Sequence, residues 1–249
     1  MPDSVPPAEN PPRPFRDRPV SFVRRSGRVS EAQERAWTEL APRFVIDPPR
    51  DAAATSILPG SAVDPGEVWG RRAPLIVEIG SGQGHAIIHA ATARPDADFL
   101  AIEVFRAGLA RTMLDAERAG ADNLRLVEAN APEVLQHLLA PASVTELWVF
   151  FPDPWHKTKH TKRRLVTAEF AAIAAGALVD GGMLRLATDW EEYAVQMRSV
   201  LGASADFEPA FEGDWAPRFD GRVLTAFERK GARVGREIRD LVYRRTPRP

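Results

Sequence analysis

The sequence contains no cysteine among its 249 residues, which excludes disulfide bonds and metal sites built from thiolates. It has no apolar run of the roughly 18 residues that a membrane-spanning helix requires, and its N-terminus lacks the apolar core of a signal peptide. Charge of one sign is not in excess either, because 33 Lys and Arg residues balance 34 Asp and Glu residues. We therefore expect a soluble cytoplasmic protein with no membrane partner, in which any nucleic-acid surface is confined to a local basic segment.

The apolar content of 44% is ordinary for a globular protein with one full core. Residues 1–19 hold seven of the 22 prolines and predict a disordered tail. Residues 20–74 form an N-terminal extension, and strands alternate with helices over residues 75–249. This alternation predicts an α/β fold with a doubly wound, mostly parallel sheet and helices on both faces. The expected strands are Leu75–Ile79, Phe99–Val104, Leu124–Val127, Leu147–Phe151 and Met183–Ala187, with two more near 206–211 and 236–245.

Three local patterns predict where helices begin and end. Ser30 followed by Gln33 has the spacing of a capping box at the start of a short helix. Asp189 followed by Glu192 predicts a second capping box at the start of a later helix. The pair Gly181-Gly182 predicts the end of the helix that precedes the fifth strand.

A glycine-rich loop, Gly80-Ser81-Gly82-Gln83-Gly84, joins the first of these strands to a helix. Glycines allow a tight turn and a close approach of the backbone to a ligand. A dinucleotide-binding loop would place its third glycine one residue later and would aim the helix N-terminus at a pyrophosphate. The carboxylate of Glu78, just before the loop, would repel a pyrophosphate but attract an ammonium group. By itself the loop also fits a plain strand–helix turn.

Two further polar side chains follow the next two strands. Glu103 ends the second strand, where a carboxylate can accept hydrogen bonds from both ribose hydroxyls of a nucleotide. Asn130 follows the third strand, and its amide can both donate to and accept from the edge of an adenine ring. The same residue also suits a helix N-cap before Pro132, and the two roles are compatible. Together with Glu78, these residues predict a nucleoside-containing cofactor at the carboxyl edge of the sheet.

The segment after the fourth strand carries the most specific chemistry. Asp153 lies between two prolines and beside Trp155, and a basic segment follows directly. A fixed carboxylate next to an aromatic ring and several cations suits a purine base together with a phosphate backbone. The alternatives are a plain turn for Asp153 and a solvated helix face for the cations, while Trp155 suits base stacking and loop packing equally. The candidate cations are Lys157, Lys159, Lys162, Arg163 and Arg164.

Two histidines, His156 and His160, lie in the same basic segment. No acidic residue lies between them, so we predict no metal site and interpret them as RNA contacts or bystanders. Basic residues elsewhere extend the candidate phosphate contacts, with plain solvation as the alternative for the C-terminal group. They are Arg24, Arg25 and Arg28 near the N-terminus, and Arg229, Lys230, Arg233 and Arg236 near the C-terminus.

These motifs, in their order along the chain, closely resemble the bacterial tRNA (guanine-N7-)-methyltransferase family. The resemblance covers about residues 20–246, and its most specific part is Pro152-Asp153-Pro154-Trp155-His156-Lys157. It implies a Rossmann-like S-adenosylmethionine (SAM)-dependent methyltransferase fold with seven strands. It also implies methyl transfer from SAM to N7 of the variable-loop guanosine of tRNA (tRNA position forty-six). The other matching segments are 78–84, 102–104, 162–164 and 187–190, with weaker ones at 22–28 and 227–231.

The resemblance also implies roles for individual residues. Asp153 matches the catalytic acid between cofactor and substrate, and Lys157 and Asp189 match substrate-binding positions. Two positions depart from the family pattern, because Asn130 stands where Asp is usual and Ala226 where Lys is frequent. The implied cofactor-binding residues are Glu78, Gly80, Gly82, Gly84, Glu103 and Asn130, and the implied substrate loop is Thr225, Ala226, Phe227 and Glu228.

Two other functions stay open at this point. An NAD-dependent oxidoreductase would use Glu103 on a ribose in the same way, although the glycine spacing and the Pro-Asp-Pro-Trp segment disfavour it. A catalytically weak RNA-binding protein on a methyltransferase fold would accommodate the substitutions at Asn130 and Ala226. The sequence leaves open the oligomeric state, monomer or homodimer, and the range of tRNA substrates.

Overall fold

The computed structural model describes residues 21–22, 30–51, 53–223, 228 and 235–248. The expected tail at 1–19 lies outside the described residues, and so does most of the expected substrate loop, Thr225, Ala226 and Phe227. The same holds for the basic residues Arg24, Arg25, Arg28, Arg229, Lys230 and Arg233. Within the described ranges, no helix combines the length and apolar character needed to cross a membrane.

Seven strands form the centre of the molecule: β1 (Leu75–Ile79), β2 (Asp98–Glu103), β3 (Leu124–Glu128), β4 (Val144–Phe150), β5 (Leu178–Thr188), β6 (Phe207–Pro209) and β7 (Arg239–Arg245). They pair in the order β3-β2-β1-β4-β5-β7-β6. Strands β1 to β5 run parallel, whereas β7 is antiparallel to both neighbours. The order reverses between β1 and β4, and ligands of open α/β sheets bind outside the carboxyl ends of the strands at such a point. The predicted fold class is confirmed.

Helices cover both faces of this sheet. They are α4 (His85–Ala93), α5 (Arg106–Ala119), α6 (Ala131–Glu133) with a π-helical turn at Val134–Leu138, a 3₁₀ helix at Thr158–Arg163, α7 (Ala168–Ala177) and α8 (Glu191–Gly202). All five residues of β1 are buried, as expected for a strand with both faces covered. Successive residues of a strand point to opposite faces, so Ile76 and Val77 belong to two different apolar core clusters.

In its described residues, the N-terminal extension contains three helices: α1 (Glu31–Glu39), which packs on α5, α2 (Ala41–Phe44), which packs on β3, and α3 (Pro65–Trp69). Phe44 and Ile57 are buried in the core. The extension also reaches the carboxyl end of β3, because the Asn130 backbone N–H donates a hydrogen bond to the Thr55 carbonyl oxygen at 2.8 Å. Residues near Thr55 therefore help to place the end of the third strand.

The capping prediction is confirmed at one helix and wrong at another. The Ser30 hydroxyl accepts a hydrogen bond from the Gln33 N–H at 3.3 Å, and Gln33 Oε1 accepts from the Ser30 N–H at 2.9 Å. Helix α8, in contrast, has Trp190 as its N-cap, and no side chain caps it. Asp189 instead forms a salt bridge at 3.0 Å with Arg236, a residue too distant in sequence for local spacing to reveal.

The prediction that Gly181-Gly182 ends a helix is also wrong. Helix α7 ends at Ala177, and β5 begins at the next residue and continues through both glycines. Gly181 has a φ of +77°, and the pairing register of β4 with β5 shifts between Val144 and Glu146. The glycines therefore form an irregularity inside a strand, which is another position where glycine is common.

Candidate active site

A cavity of about 390 Å³ opens at the carboxyl ends of β1, β2, β3 and β4. This is the edge at which the strand order reverses, so the cavity lies where the topology places ligands. Six residues predicted for the site line it together, although they come from four separate strand ends. They are Glu78, Gly80, Gly82, Glu103, Asn130 and Asp153.

Gly84, the third glycine of the loop, packs against α5 behind the cavity. A Cβ atom at residue 84 would lie 2.4 Å from Thr112 Cγ2, and the φ of the residue is +77°, so a larger residue does not fit without a shift. Helix α5 approaches the loop from the other side as well, because a Cβ at Gly108 would lie 2.3 Å from the Gly82 carbonyl oxygen. The structure supports a packing role for Gly84 instead of the predicted cofactor contact.

Glu78 is a buried carboxylate at the bottom of the cavity, with only 4% of its surface exposed. Burial and the nearby negative charge of Glu103 raise the pKa of Glu78 to about 8, although the Ile87 backbone N–H partly offsets this. Among the described residues, Oε2 of Glu78 is buried and has no hydrogen-bond partner. A buried polar atom without a partner is costly, so a cationic ligand group placed here would supply the missing partner. The ammonium group of SAM fits this requirement.

Glu103 holds the glycine loop as well as facing the cavity. Its Oε2 accepts a hydrogen bond from the Gly82 N–H at 2.8 Å, and its Oε1 accepts from the N–H groups of Val104 at 2.7 Å and Phe105 at 3.0 Å. Burial raises the pKa of Glu103, the three N–H groups lower it, and the charge of Asp153 raises it again. A carboxylate offers about four acceptor sites, so these three bonds leave about one site for a ribose hydroxyl.

Asn130 reaches the cavity from the end of β3 and precedes α6. It occupies the N-cap position of α6, yet its side chain makes no capping hydrogen bond. Its amide nitrogen Nδ2 instead donates to Glu133 Oε1 at 2.9 Å. The side-chain oxygen of Asn130 is therefore the polar atom left to meet a ligand on the cavity side.

Asp153 lies in a turn whose two ends have unusual backbone conformations. Phe151 has a φ of +52° and Trp155 a φ of +45°, in the left-handed region that residues other than glycine rarely adopt. Pro152 and Pro154 restrict the backbone between them, and the Phe151 N–H donates to the Ala187 carbonyl oxygen at 2.8 Å. The turn places the exposed Asp153 at the cavity rim, near enough to Glu103 to raise its pKa.

Trp155 packs under this turn. Its indole N–H donates to the Ser21 carbonyl oxygen at 3.1 Å, and the guanidinium carbon of Arg163 lies 3.8 Å from the ring centroid. Arg163 in turn donates to the Phe22 carbonyl oxygen at 3.2 Å. Of the two roles that the sequence left open for Trp155, these contacts favour packing over base stacking.

The basic segment after the turn divides into exposed and internal cations. Lys157, Lys159 and Lys162 are exposed on or beside the 3₁₀ helix, where a phosphate backbone can reach them. Arg164 is only 6% exposed; it donates to the Pro154 carbonyl oxygen at 2.8 Å and to Gln196 Oε1 at 2.7 Å. The structure does not support the predicted RNA-backbone contact for Arg164, because its donors hold the turn from inside. Arg163 is half-buried on Trp155.

Two of the predicted substrate-binding residues lie away from the main cavity. Asp189, paired with Arg236, lines a separate open cleft beside Trp190. Glu228 is fully buried and accepts hydrogen bonds from Arg222 at 3.1 and 3.2 Å. Arg222 also pairs with Asp240. The structure does not support direct substrate contact for Glu228, since its carboxylate anchors the chain to a buried arginine.

Four residues that shape the site were not among the predicted site residues. Ser21 and Phe22 line the cavity from the N-terminal segment, and no local pattern places that segment beside the fourth strand. Thr112 is packed against Gly84 from the middle of α5. Glu133 lies three residues after Asn130, a spacing at which two side chains of a helix can contact each other. That spacing is the sequence signal that could have identified it. In the described part of the chain, no group of three or more His, Asp or Glu side chains is arranged to hold a metal ion.

The comparisons with known proteins agree with the chemistry that the site geometry indicates. A family model that describes a methyltransferase matches residues 72–241. The tRNA (guanine-N(7)-)-methyltransferase of Paenarthrobacter aurescens (strain TC1) is 46% identical, over 92% of this chain and 92% of that protein. The protein of the same name from Methylococcus capsulatus (strain ATCC 33009 / NCIMB 11132 / Bath) is 41% identical, over 95% and 96% of the two chains.

Solved structures show the same fold at low sequence identity. The 16S rRNA methyltransferase KamB matches with a TM-score of 0.53 and 15% identity, over 92% of this chain and 99% of that chain. The 16S rRNA (adenine(1408)-N(1))-methyltransferase from Catenulisporales acidiphilia, crystallised with its cosubstrate SAM, matches with a TM-score of 0.51 and 18% identity, over 74% and 92%. The fold likeness and the close sequence relatives agree, and this chain belongs to the bacterial tRNA (guanine-N7-)-methyltransferase family of SAM-dependent enzymes.

Proposed function

We propose that this protein transfers the methyl group of SAM to N7 of the variable-loop guanosine of tRNA (tRNA position forty-six), forming N7-methylguanosine. The observation that carries the proposal is the position of Asp153. This carboxylate lies at the rim of a cavity whose buried Glu78 and partly buried Glu103 suit SAM, and exposed lysines follow it directly. One edge of the sheet thus offers a cofactor site, a purine-facing carboxylate and a cationic surface.

The cavity residues would hold SAM by complementary charge and hydrogen bonding. Glu78 would receive the ammonium group, Glu103 a ribose hydroxyl and Asn130 the adenine edge, while Gly80 and Gly82 also line the cavity. Three acidic side chains line the cavity, and a cationic ligand group would favour the ionised form of Glu78, whose pKa is otherwise raised to about 8. When bound, SAM supplies an electrophilic methyl group on a sulfonium centre.

Asp153 would act on the guanine rather than on the cofactor. Guanine N7 carries a lone pair and no proton, so its attack on the methyl group requires alignment but no general base. The ring becomes cationic as the new bond forms, and a fixed carboxylate can accept hydrogen bonds from the guanine N1–H and the N2 amine. Those hydrogen bonds strengthen as positive charge develops, so Asp153 stabilises the transition state more than the bound substrate.

The exposed lysines would bind the tRNA backbone. Lys159 and Lys162 lie along the 3₁₀ helix beyond the turn and suit phosphate contacts, which supply affinity and register rather than base identity. Lys157 lies closer in sequence to Asp153 and suits the target nucleotide itself. Asp189, in its cleft beside Trp190, remains a proposed substrate contact. We place the enzyme in the cytoplasm, where its tRNA substrate is found.

The test is incubation of the purified protein with unmodified tRNA and SAM, followed by nucleoside mass spectrometry. We expect N7-methylguanosine to appear only when both SAM and protein are present. A second incubation with a tRNA whose variable-loop guanosine is replaced by adenosine should give no product. Formation of a different methylated nucleoside, or no methylation at all by the folded protein, would refute the proposal.

A further inference from the structure

The side chain of Asn130 is fixed by Glu133, a residue that does not line the cavity. Its Nδ2 donates to Glu133 Oε1 at 2.9 Å, and Glu133 Oε2 accepts from the Ile57 backbone N–H at 2.9 Å. The Asn130 backbone is fixed as well, through its N–H to the Thr55 carbonyl oxygen at 2.8 Å. The N-terminal extension and Glu133 together therefore fix both the backbone and the side chain of Asn130.

The chemistry of the Glu133 carboxylate determines which way the Asn130 amide faces. An ionised carboxylate only accepts hydrogen bonds, whereas an asparagine amide has one end that donates and one that accepts. The donating Nδ2 end must therefore face Glu133. Asn130 lines the cavity, so the accepting Oδ1 end is the one available to a ligand there.

We propose that Glu133 is a positioning residue that makes this cofactor site select adenine. This inference rests on the adenine placement given above under the proposed function. An Oδ1 acceptor matches the exocyclic N6 amine of adenine, which donates, and mismatches a base with an oxygen at that position. Glu133 thereby makes Asn130 act as an acceptor, as the aspartate usual at this position in the family would do.

The consequence concerns this chain's departure from the family pattern. An asparagine free to turn would offer a donor or an acceptor equally and would not distinguish an amine from a carbonyl on the base. The Glu133 carboxylate removes that freedom, and its own position is fixed by the Ile57 N–H. The presence of asparagine instead of aspartate at residue 130 therefore keeps adenine specificity without a second negative charge beside Glu133.

The experiment compares two ligands by calorimetry: S-adenosylhomocysteine and its deaminated analogue S-inosylhomocysteine, in which O6 replaces the N6 amine. We expect the wild-type protein to prefer the adenine ligand about tenfold or more, because the analogue sets two acceptors against each other. In Glu133→Gln, the glutamine amide can donate, so Asn130 can turn. The preference should then fall to about threefold or less.

The double variant Asn130→Asp with Glu133→Gln is the matched control. The glutamine introduced at position 133 can donate to one oxygen of the aspartate introduced at position 130, while the other oxygen faces the base. The hydrogen bond is thus kept with reversed polarity, and we expect the adenine preference to return to the wild-type value. Melting temperatures measured alongside identify any variant that is not folded, and the double variant keeps the test decisive if Glu133→Gln does not fold.

Each outcome decides for or against the positioning role. A Glu133→Gln protein that binds both ligands more weakly but with the wild-type preference would show that Glu133 only supports the fold. A double variant that stays folded without regaining the preference would also overturn the inference. Failure of the folded wild-type protein to bind S-adenosylhomocysteine would instead overturn the proposed cofactor site, so the two failures are distinguishable.

Discussion

Glu78 should make cofactor binding depend on pH below neutrality. Its surroundings in the free protein raise the pKa of Glu78 to about 8. An ammonium group placed against it favours the charged carboxylate, so binding at neutral pH should release a proton. With that pKa, roughly one Glu78 in a hundred is ionised at pH 6 and about one in ten at pH 7. Affinity for SAM should therefore rise about ninefold between these two pH values.

Isothermal titration calorimetry at pH 6, 6.5 and 7 measures this rise directly. Repeating each titration in two buffers of different ionisation enthalpy counts the protons released. The matched variant is Glu78→Gln, which keeps the shape of the side chain but has no charge to gain, so it should bind SAM weakly and with little dependence on pH. An affinity for the wild-type protein that is flat across this range, with equal heats in both buffers, would refute the reasoning.

The same carboxyl group should affect the stability of the ligand-free protein. A folded pKa of Glu78 near 8, against an ordinary value of 4.5, means that the folded state binds more protons than the unfolded state between these values. Stability contributed by the neutral group is therefore lost as the pH rises from 4.5 towards 8. Thermal melts should show that Glu78→Gln gains stability relative to wild type at pH 8 but not at pH 4.5. The same difference at both pH values would contradict the burial argument.

Three further substitutions test the assigned roles. Asp153→Asn should slow single-turnover methyl transfer by about 100-fold or more with little change in SAM affinity, and a folded variant with near-normal turnover would remove Asp153 from its role. Glu103→Ala should weaken SAM binding about tenfold or more in calorimetry, because it also releases the Gly82 N–H; unchanged affinity would exclude the ribose contact. Lys162→Ala should lower the salt slope of tRNA binding by about 0.7–0.9 and spare saturated turnover, whereas Lys157→Ala should slow turnover even at saturating tRNA. Wild-type single-turnover rates in both lysine variants would make Lys157 an ordinary phosphate contact.

The fold was predictable because its signals are local and repeat along the chain. Buried parallel strands appear as short apolar runs, such as Leu75–Ile79, and a glycine or an acid at the end of a run, such as Gly80 or Glu103, marks the edge of the sheet. In a parallel sheet the carboxyl ends of the strands lie at the same edge, so no other sequence signal is needed to predict that these ends are close together. That is why Glu78, Glu103, Asn130 and Asp153 could be grouped from sequence, and all four line one cavity.

The errors in the site arise where tertiary contacts replace local ones. Arg164 and Lys162 look alike in a basic segment, but only Arg164 is adjacent to the Pro154 carbonyl and Gln196 in space. Asp189 has the spacing of a capping residue, yet it pairs with Arg236 on a distant segment. Burial of a charged side chain depends on which elements pack over it, and the charge pattern of a single segment does not contain that information.

The two left-handed residues that flank Asp153 affect how the enzyme can use the binding energy of its RNA. Backbone conformations such as those of Phe151 and Trp155 cost on the order of 1–3 kcal/mol each, and core packing offsets that cost when the chain folds. The carboxylate is thus held in place before any substrate arrives. Binding energy from contacts far along the tRNA need not be used to shape the enzyme's own loop, and it remains available to bring the guanine ring into line with the methyl group.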